Sequence, residues 1–178
     1  MWLSGLFTLI FAVAAFTNAG QANAAYTTLS VTFEESAPKD IFTIRNTGSC
    51  KTGALSLSID LSSSKSGLIF DPTASGAGVE VFQPLEIQRG QNLVTSVSDV
   101  RDGDSKVTFA LKSLKPEAVV SFTVDVDDTL RQSERGQTMI SGSEMQGTSV
   151  LITHGSQTVL KSVFSAEATT FVKRVPCV

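Results

Sequence analysis

Aspartates in two short groups are the residues of this chain best suited to carry chemistry. Asp99, Asp102 and Asp104 surround one turn, and Asp125, Asp127 and Asp128 close a strongly alternating apolar run. Carboxylates gathered at strand ends are what a hard cation needs, because Ca2+ takes roughly six to eight oxygen ligands. Calcium is therefore the candidate cofactor, on Asp125, Asp127 and Asp128 first and on Asp99, Asp102 and Asp104 second. Where alternation lapses at the strand end, the adjacent Asp127 and Asp128 can turn toward one site. Neither group has the spacing of an EF-hand loop. The competing expectation is a set of solvated turn residues, with Asp102 and Asp104 making Asx turns.

The remaining side chains offer little catalysis, and the chain is expected not to be an enzyme. There is 1 His in the sequence. It is His154, which shares the face of an alternating run with Val150 and Ile152 and reads as a half-buried structural residue. No H-E-x-x-H or G-x-S-x-G occurs. Gly76-Ala77-Gly78 lacks the rest of a dinucleotide fingerprint. Two carboxylates can hydrolyse a glycosidic bond, but the linear sequence brings no such pair together. With 14 Lys+Arg against 17 Asp+Glu, a formal charge of −3, the chain has no basic excess for nucleic acid.

The elements that must position these residues read as strands. Leu55, Leu57, Ile59 and Leu61 alternate with small polar residues, as do Val107, Phe109 and Leu111. Val120, Phe122, Val124 and Val126 alternate with Ser121, Thr123, Asp125 and Asp127, one face for a core and one for water. Weaker strands are expected at Thr28–Phe33, Ile41–Asn46, Val79–Phe82, Leu93–Val100, Ser149–His154, Gln157–Phe164 and Thr169–Val175. Turns fall at Asn46-Thr47-Gly48-Ser49, Asp102-Gly103-Asp104 and Leu114-Lys115-Pro116-Glu117. Asp128 to Gly147 reads as a long surface loop or a short hairpin around Ile140. The fold class expected is all-β, a single antiparallel β-sandwich of about nine strands.

The N-terminus reads differently. No charged side chain precedes Glu34, and Leu6–Phe16 is almost wholly apolar but too short to span a bilayer, which takes about 20 residues. With the small-residue triplet Ala22-Asn23-Ala24 it predicts a signal peptide over residues 1–24 and one domain over 25–178. No membrane span is expected after cleavage. The 2 cysteines, Cys50 and Cys177, would meet an oxidising compartment, where they allow one intramolecular disulfide; free or intermolecular thiols are the other outcome. Two distant Cys and one His are too few ligands for a metal site of their own. Sugar stacking has little support, since Tyr26 is the one Tyr and Trp2 lies in the leader.

Taken together, Ile44-Arg-Asn-Thr-Gly-Ser-Cys50, Gly67-Leu-Ile-Phe-Asp-Pro-Thr73, Gly78-Val-Glu-Val-Phe82, Ser121-Phe-Thr-Val-Asp-Val-Asp-Asp-Thr-Leu130 and the segment from Ile140 to Gly147 form an ordered set. In this combination the chain resembles the aggregation factor core proteins, the sponge protein and its short bacterial relatives. The resemblance covers most of residues 25–178. It implies an immunoglobulin-like or jelly-roll-like sandwich in a secreted, non-enzymatic module of cell adhesion or extracellular-matrix assembly. Calcium dependence carries over only as an expectation on Asp125, Asp127 and Asp128. Expected partners are the protein itself, other surface proteins or extracellular glycans, outside the cell, on its surface or in a periplasm. The alternative is a glycan-binding module of the cell surface or periplasm.

Overall fold

A computed structural model describes residues 25–78, 82–130, 135–155 and 158–178. The expected signal peptide, residues 1–24, lies outside them, as does most of the strand expected at Val79–Phe82. Twelve strands lie among the described residues. They are β1 (Tyr26–Glu34), β2 (Asp40–Asn46), β3 (Leu55–Asp60), β4 (Ile69–Phe70), β5 (Glu86–Arg89) and β6 (Val94–Val97), followed by β7 (Lys106–Leu111), β8 (Val119–Val124), β9 (Val126–Asp127), β10 (Ser149–His154), β11 (Thr158–Val163) and β12 (Thr169–Pro176). One sheet has the order β12-β1-β2-β8-β5, the other β11-β10-β3-β7-β6, and β4 and β9 form a separate two-stranded ribbon. Every pairing is antiparallel. The two large sheets pack face to face as an all-β sandwich.

The period-two residues supply the core. Leu57 and Ile59 of β3, Val107 and Phe109 of β7 and Val120, Phe122 and Val124 of β8 are all buried. Phe42 of β2 stacks on Phe122, with ring centroids 5.1 Å apart, and Phe122 meets Phe109 of the opposite sheet at 4.5 Å. Such pairs contribute about 0.5–1.5 kcal/mol beyond the area they bury. This aromatic column joins the sheets through the middle of the molecule.

Twelve strands replace the nine expected, for local reasons. β4 is two residues long, and β5 lies mostly exposed at a sheet edge, so neither writes an apolar period into the sequence. The single run expected through Val126 is cut after Val124, because β8 pairs with β2 and β5 while β9 pairs with β4. Among the described residues after Asp128 there is no hairpin around Ile140. The segment carries one helical turn, α1 (Gly142–Met145), started by a capping box in which Ser141 N–H donates to Glu144 Oε2 at 2.7 Å. Ile140 and Met145 bury beside it, which anchors the loop to the core.

Cys50 and Cys177 form a disulfide, with Cα atoms 5.9 Å apart. It ties the loop after β2 to the end of β12, where Thr52 also bridges to Cys177. Among the described residues, no helix is long and apolar enough to cross a membrane.

Candidate metal centre

The β4–β9 ribbon builds the centre. Ile69 lies opposite Asp127 and Phe70 opposite Val126, and Asp71 N–H then donates to the Asp125 carbonyl at 3.1 Å. Side chains alternate across a strand, so Phe70 and Val126 point into the core while Asp71, Asp125 and Asp127 share the other face. The alternation that sequence reading saw in Val120–Val126 thus persists through Asp127 and puts Asp125 and Asp127 together. The ladder register adds Asp71 from the opposing strand. One carboxylate oxygen from each of the three lies within 4.8 Å of the others. Oxygens bound to one Ca2+ at about 2.4 Å can be no more than about 4.8 Å apart, so the set has the dimensions of a single hard-cation site.

The centre is dry. Asp71 is 1%, Asp125 8% and Asp127 0% exposed, which overturns the expectation of solvated turn residues for this group. The chain returns over it at Gly78, whose φ is +105°. A Cβ there would stand 2.4 Å from Asp71 Oδ2 and 2.7 Å from Asp127 Oδ2. Only glycine fits this position, both for its backbone conformation and for its space. Asp71 Oδ2 is buried with no hydrogen-bond donor among the described residues.

Burying carboxylates this close raises the free energy of their charged forms. Asp71 is pushed up to about 7 by its burial, then by the facing Asp127 carboxyl and by the charges of Asp102 and Asp125. Asp125 is also raised to about 7, through burial and the charge of Asp127. A second group adjoins it. Asp40, at the start of β2, rises to about 9 from burial and the charge of Glu35, although its Oδ2 accepts from Val126 N–H at 3.1 Å. Glu35, itself raised mainly by burial, accepts from Ile140 N–H at 2.5 Å and shares a cavity of about 280 Å³ with Asp125, Gln83 and Met139. Among the described residues the salt bridges are Lys39–Glu86, Arg45–Glu117 and Arg101–Asp99, none of which reaches Asp71, Asp125 or Asp40.

The other residues singled out by sequence have different tasks. Asp128 is buried but lies outside the three-carboxylate group; its Oδ1 caps the following loop by accepting from Leu130 N–H at 2.9 Å. Asp102 holds the loop beside the centre, accepting from Thr73 N–H at 2.8 Å and from the Thr73 hydroxyl. Asp104 accepts from Arg101 N–H at 2.8 Å, three residues back, so neither it nor Asp102 makes the Asx turn expected of them. Asp99 pairs with Arg101 at 3.2 Å, both side chains well exposed. The two groups therefore converge only partly: the 101–104 turn docks on β4 through Phe70 N–H to Asp104 O, but contributes no ligand. His154 is half-buried, with its Nε2 over Gly53, as a structural histidine would be.

Asp71, Asp40, Glu35 and the buried Glu144 were missed by sequence reading. The one legible signal among them is Ser141-x-x-Glu144, the capping-box spacing. Asp71 lies in a run with no acidic neighbour, and only strand pairing reveals its partners. Compared with known proteins, the chain matches no family model, and no curated protein is similar to it.

Proposed function

We propose that this protein is a secreted, non-enzymatic β-sandwich module that binds a divalent cation, calcium by the chemistry of its donors, and uses it in adhesion or extracellular assembly. The observation that carries the reading is the Asp71–Asp125–Asp127 group, three buried carboxylates on one face under Gly78, with the Asp71 Oδ2 lacking a donor among the described residues. The donors are all hard oxygens; both cysteines are tied in the disulfide and His154 lies on β10, outside the group, so the set suits Ca2+ better than zinc or copper. Asp71, Asp125 and Asp127 would hold the ion, and it would neutralise charge that the fold otherwise meets by protonation. The disulfide fits an oxidising compartment outside the cytosol. The adhesive role rests on the resemblance to aggregation factor core proteins.

Calorimetric titration with calcium tests the centre. Extracellular modules bind Ca2+ with dissociation constants of roughly 0.1–1 mM. At the tight end, 1 mM calcium stabilises by about 1.4 kcal/mol and raises the melting temperature by about 3–6 °C. Asp71→Asn should remove both the heat and the shift. No heat and no melting shift at millimolar calcium in the unsubstituted protein would sink the reading. For assembly, sedimentation with and without calcium should show a larger species only with the ion; an unchanging monomer argues against the adhesive role.

A further inference from the structure

The cation centre is closed toward the core and toward the Pro72–Gly78 loop. Phe70 and Val126 turn away from it into the core, and Gly78 lies over Asp71 Oδ2 and Asp127 Oδ2. Asp71 Oδ2 is buried and, among the described residues, has no donor, as expected of an oxygen placed for a ligand. Asp125 is different, because it also lines a cavity of about 280 Å³. Three carboxylates supply about three to six oxygens, whereas Ca2+ takes roughly six to eight. The coordination positions left over therefore face this cavity.

The chemistry of the cavity selects what can fill them. Glu35, Gln83 and Thr138 offer it polar groups, and Pro38 and Met139 an apolar wall. Gln83 Oε1 is buried and, among the described residues, without a donor. Glu35 accepts from Ile140 N–H, and a carboxylate with about four lone-pair sites can accept further bonds. No Lys or Arg is among the lining residues described; the Arg135 charge acts on Glu35 from outside them. An ammonium group would be repelled by the ion. A carboxylate would be repelled by Glu35 and by three aspartates whose charge outweighs one Ca2+. A neutral hydroxyl meets neither obstacle, since it gives a lone pair to the ion and its proton to Glu35 or Gln83. Two hydroxyls on adjacent carbons chelate one ion, and this needs no aromatic platform. The volume lies just under the range of small-molecule sites, about 300–1,000 Å³, which suits one ring rather than a chain of them.

We propose that the bound cation holds the vicinal diol of a terminal sugar ring in this cavity, with Glu35 and Gln83 accepting from its hydroxyls and Pro38 and Met139 flanking the ring. The proposal rests on the cation reading and names the ligand through which adhesion would act.

The test uses the folded, disulfide-bonded, isotope-labelled chain, in calcium and in EDTA. Methyl α-mannoside, methyl β-galactoside and methyl α-fucoside, whose diols differ in geometry, are titrated by heteronuclear NMR, with acetate as the carboxylate probe. At least one sugar should bind at millimolar concentration in calcium, shifting the Gln83 side-chain amide and the backbone amides of Glu35 and Met139. In EDTA these resonances should stay in place. Gln83→Met keeps the length of the side chain and removes its acceptor. Sugar affinity should then fall about fivefold, the equivalent of one hydrogen bond, while the heat of calcium binding stays unchanged. Calcium heat without a shift from any sugar overturns this proposal and leaves the cation reading standing, whereas absence of calcium heat overturns both. Shifts that persist in EDTA, or an unchanged sugar affinity in Gln83→Met, also overturn it. Shifts with acetate and with no sugar do so in favour of an acidic partner.

Discussion

Asp71, Asp125 and Asp40 are held protonated or half-protonated near neutral pH by burial and by the charges of neighbouring carboxylates, Asp127 for the first two and Glu35 for Asp40. All three have folded-state values above the ordinary aspartate value, so the folded chain binds more protons than the unfolded one over the interval between. Stability from this source is fully present below about pH 4 and is lost as pH rises, through about 7 for Asp71 and Asp125 and about 9 for Asp40. The melting temperature of the protein in EDTA should therefore fall from pH 5 to pH 9. Asp40→Asn should flatten the part of that fall above about pH 7, since an amide has no acidic proton to lose and gains no charge. Calcium takes only the deprotonated carboxylates, so its affinity should rise as pH increases through about 7. A melting temperature that climbs steadily over this range in EDTA would contradict these assignments.

The short elements make the centre, and the long ones merely hold it in place. β4 and β9 exchange few backbone bonds, yet their register alone sets Asp71 opposite Asp125. The loop from Pro72 to Gly78 then closes over the ribbon, tethered by Asp102 to Thr73. Gly78→Ala is the informative change here. Its Cβ would collide with Asp71 Oδ2 and Asp127 Oδ2, and its φ of +105° disfavours any side chain. The expected outcome is a calcium affinity lowered by at least about tenfold, with a stability loss of about 1–3 kcal/mol read from urea denaturation. Equal calcium affinity in Gly78→Ala and the unsubstituted protein would show that the backbone at this position does not bound the site.

At the scale of the whole molecule, two devices secure the sandwich: the aromatic column of Phe42, Phe122 and Phe109 through its middle and the disulfide between Cys50 and Cys177. The bond closes a loop with a sequence separation of 127 residues. In the chain-entropy account a loop of that size stabilises by about 4–5 kcal/mol, by restricting the unfolded chain. Replacing both cysteines with serine should lower the unfolding free energy by roughly that amount, measured by urea denaturation. The folded centre lies remote from the bond in the topology, so calcium affinity at a temperature where the variant stays folded should be unchanged.

Strand formation and the inward face of β3, β7 and β8 were legible because their burial follows a local rule, alternation at period two. That rule also placed Asp125 and Asp127 on one face. Glu86–Arg89 and Ile69–Phe70 were not legible, since an exposed edge strand and a two-residue strand bury no periodic set. Asp128 was grouped with Asp127 by adjacency, but neighbours in an extended chain face opposite ways. Asp71 was invisible for a stronger reason: its role depends on a partner strand far along the chain, and pairing register is a property of the folded backbone. The sequence by itself determined a β-sandwich with a cysteine pair and acidic strand ends. Only the tertiary structure decided which carboxylates meet, that they are buried, and that a glycine closes over them. Long-range pairing and burial together convert dispersed aspartates into a single centre.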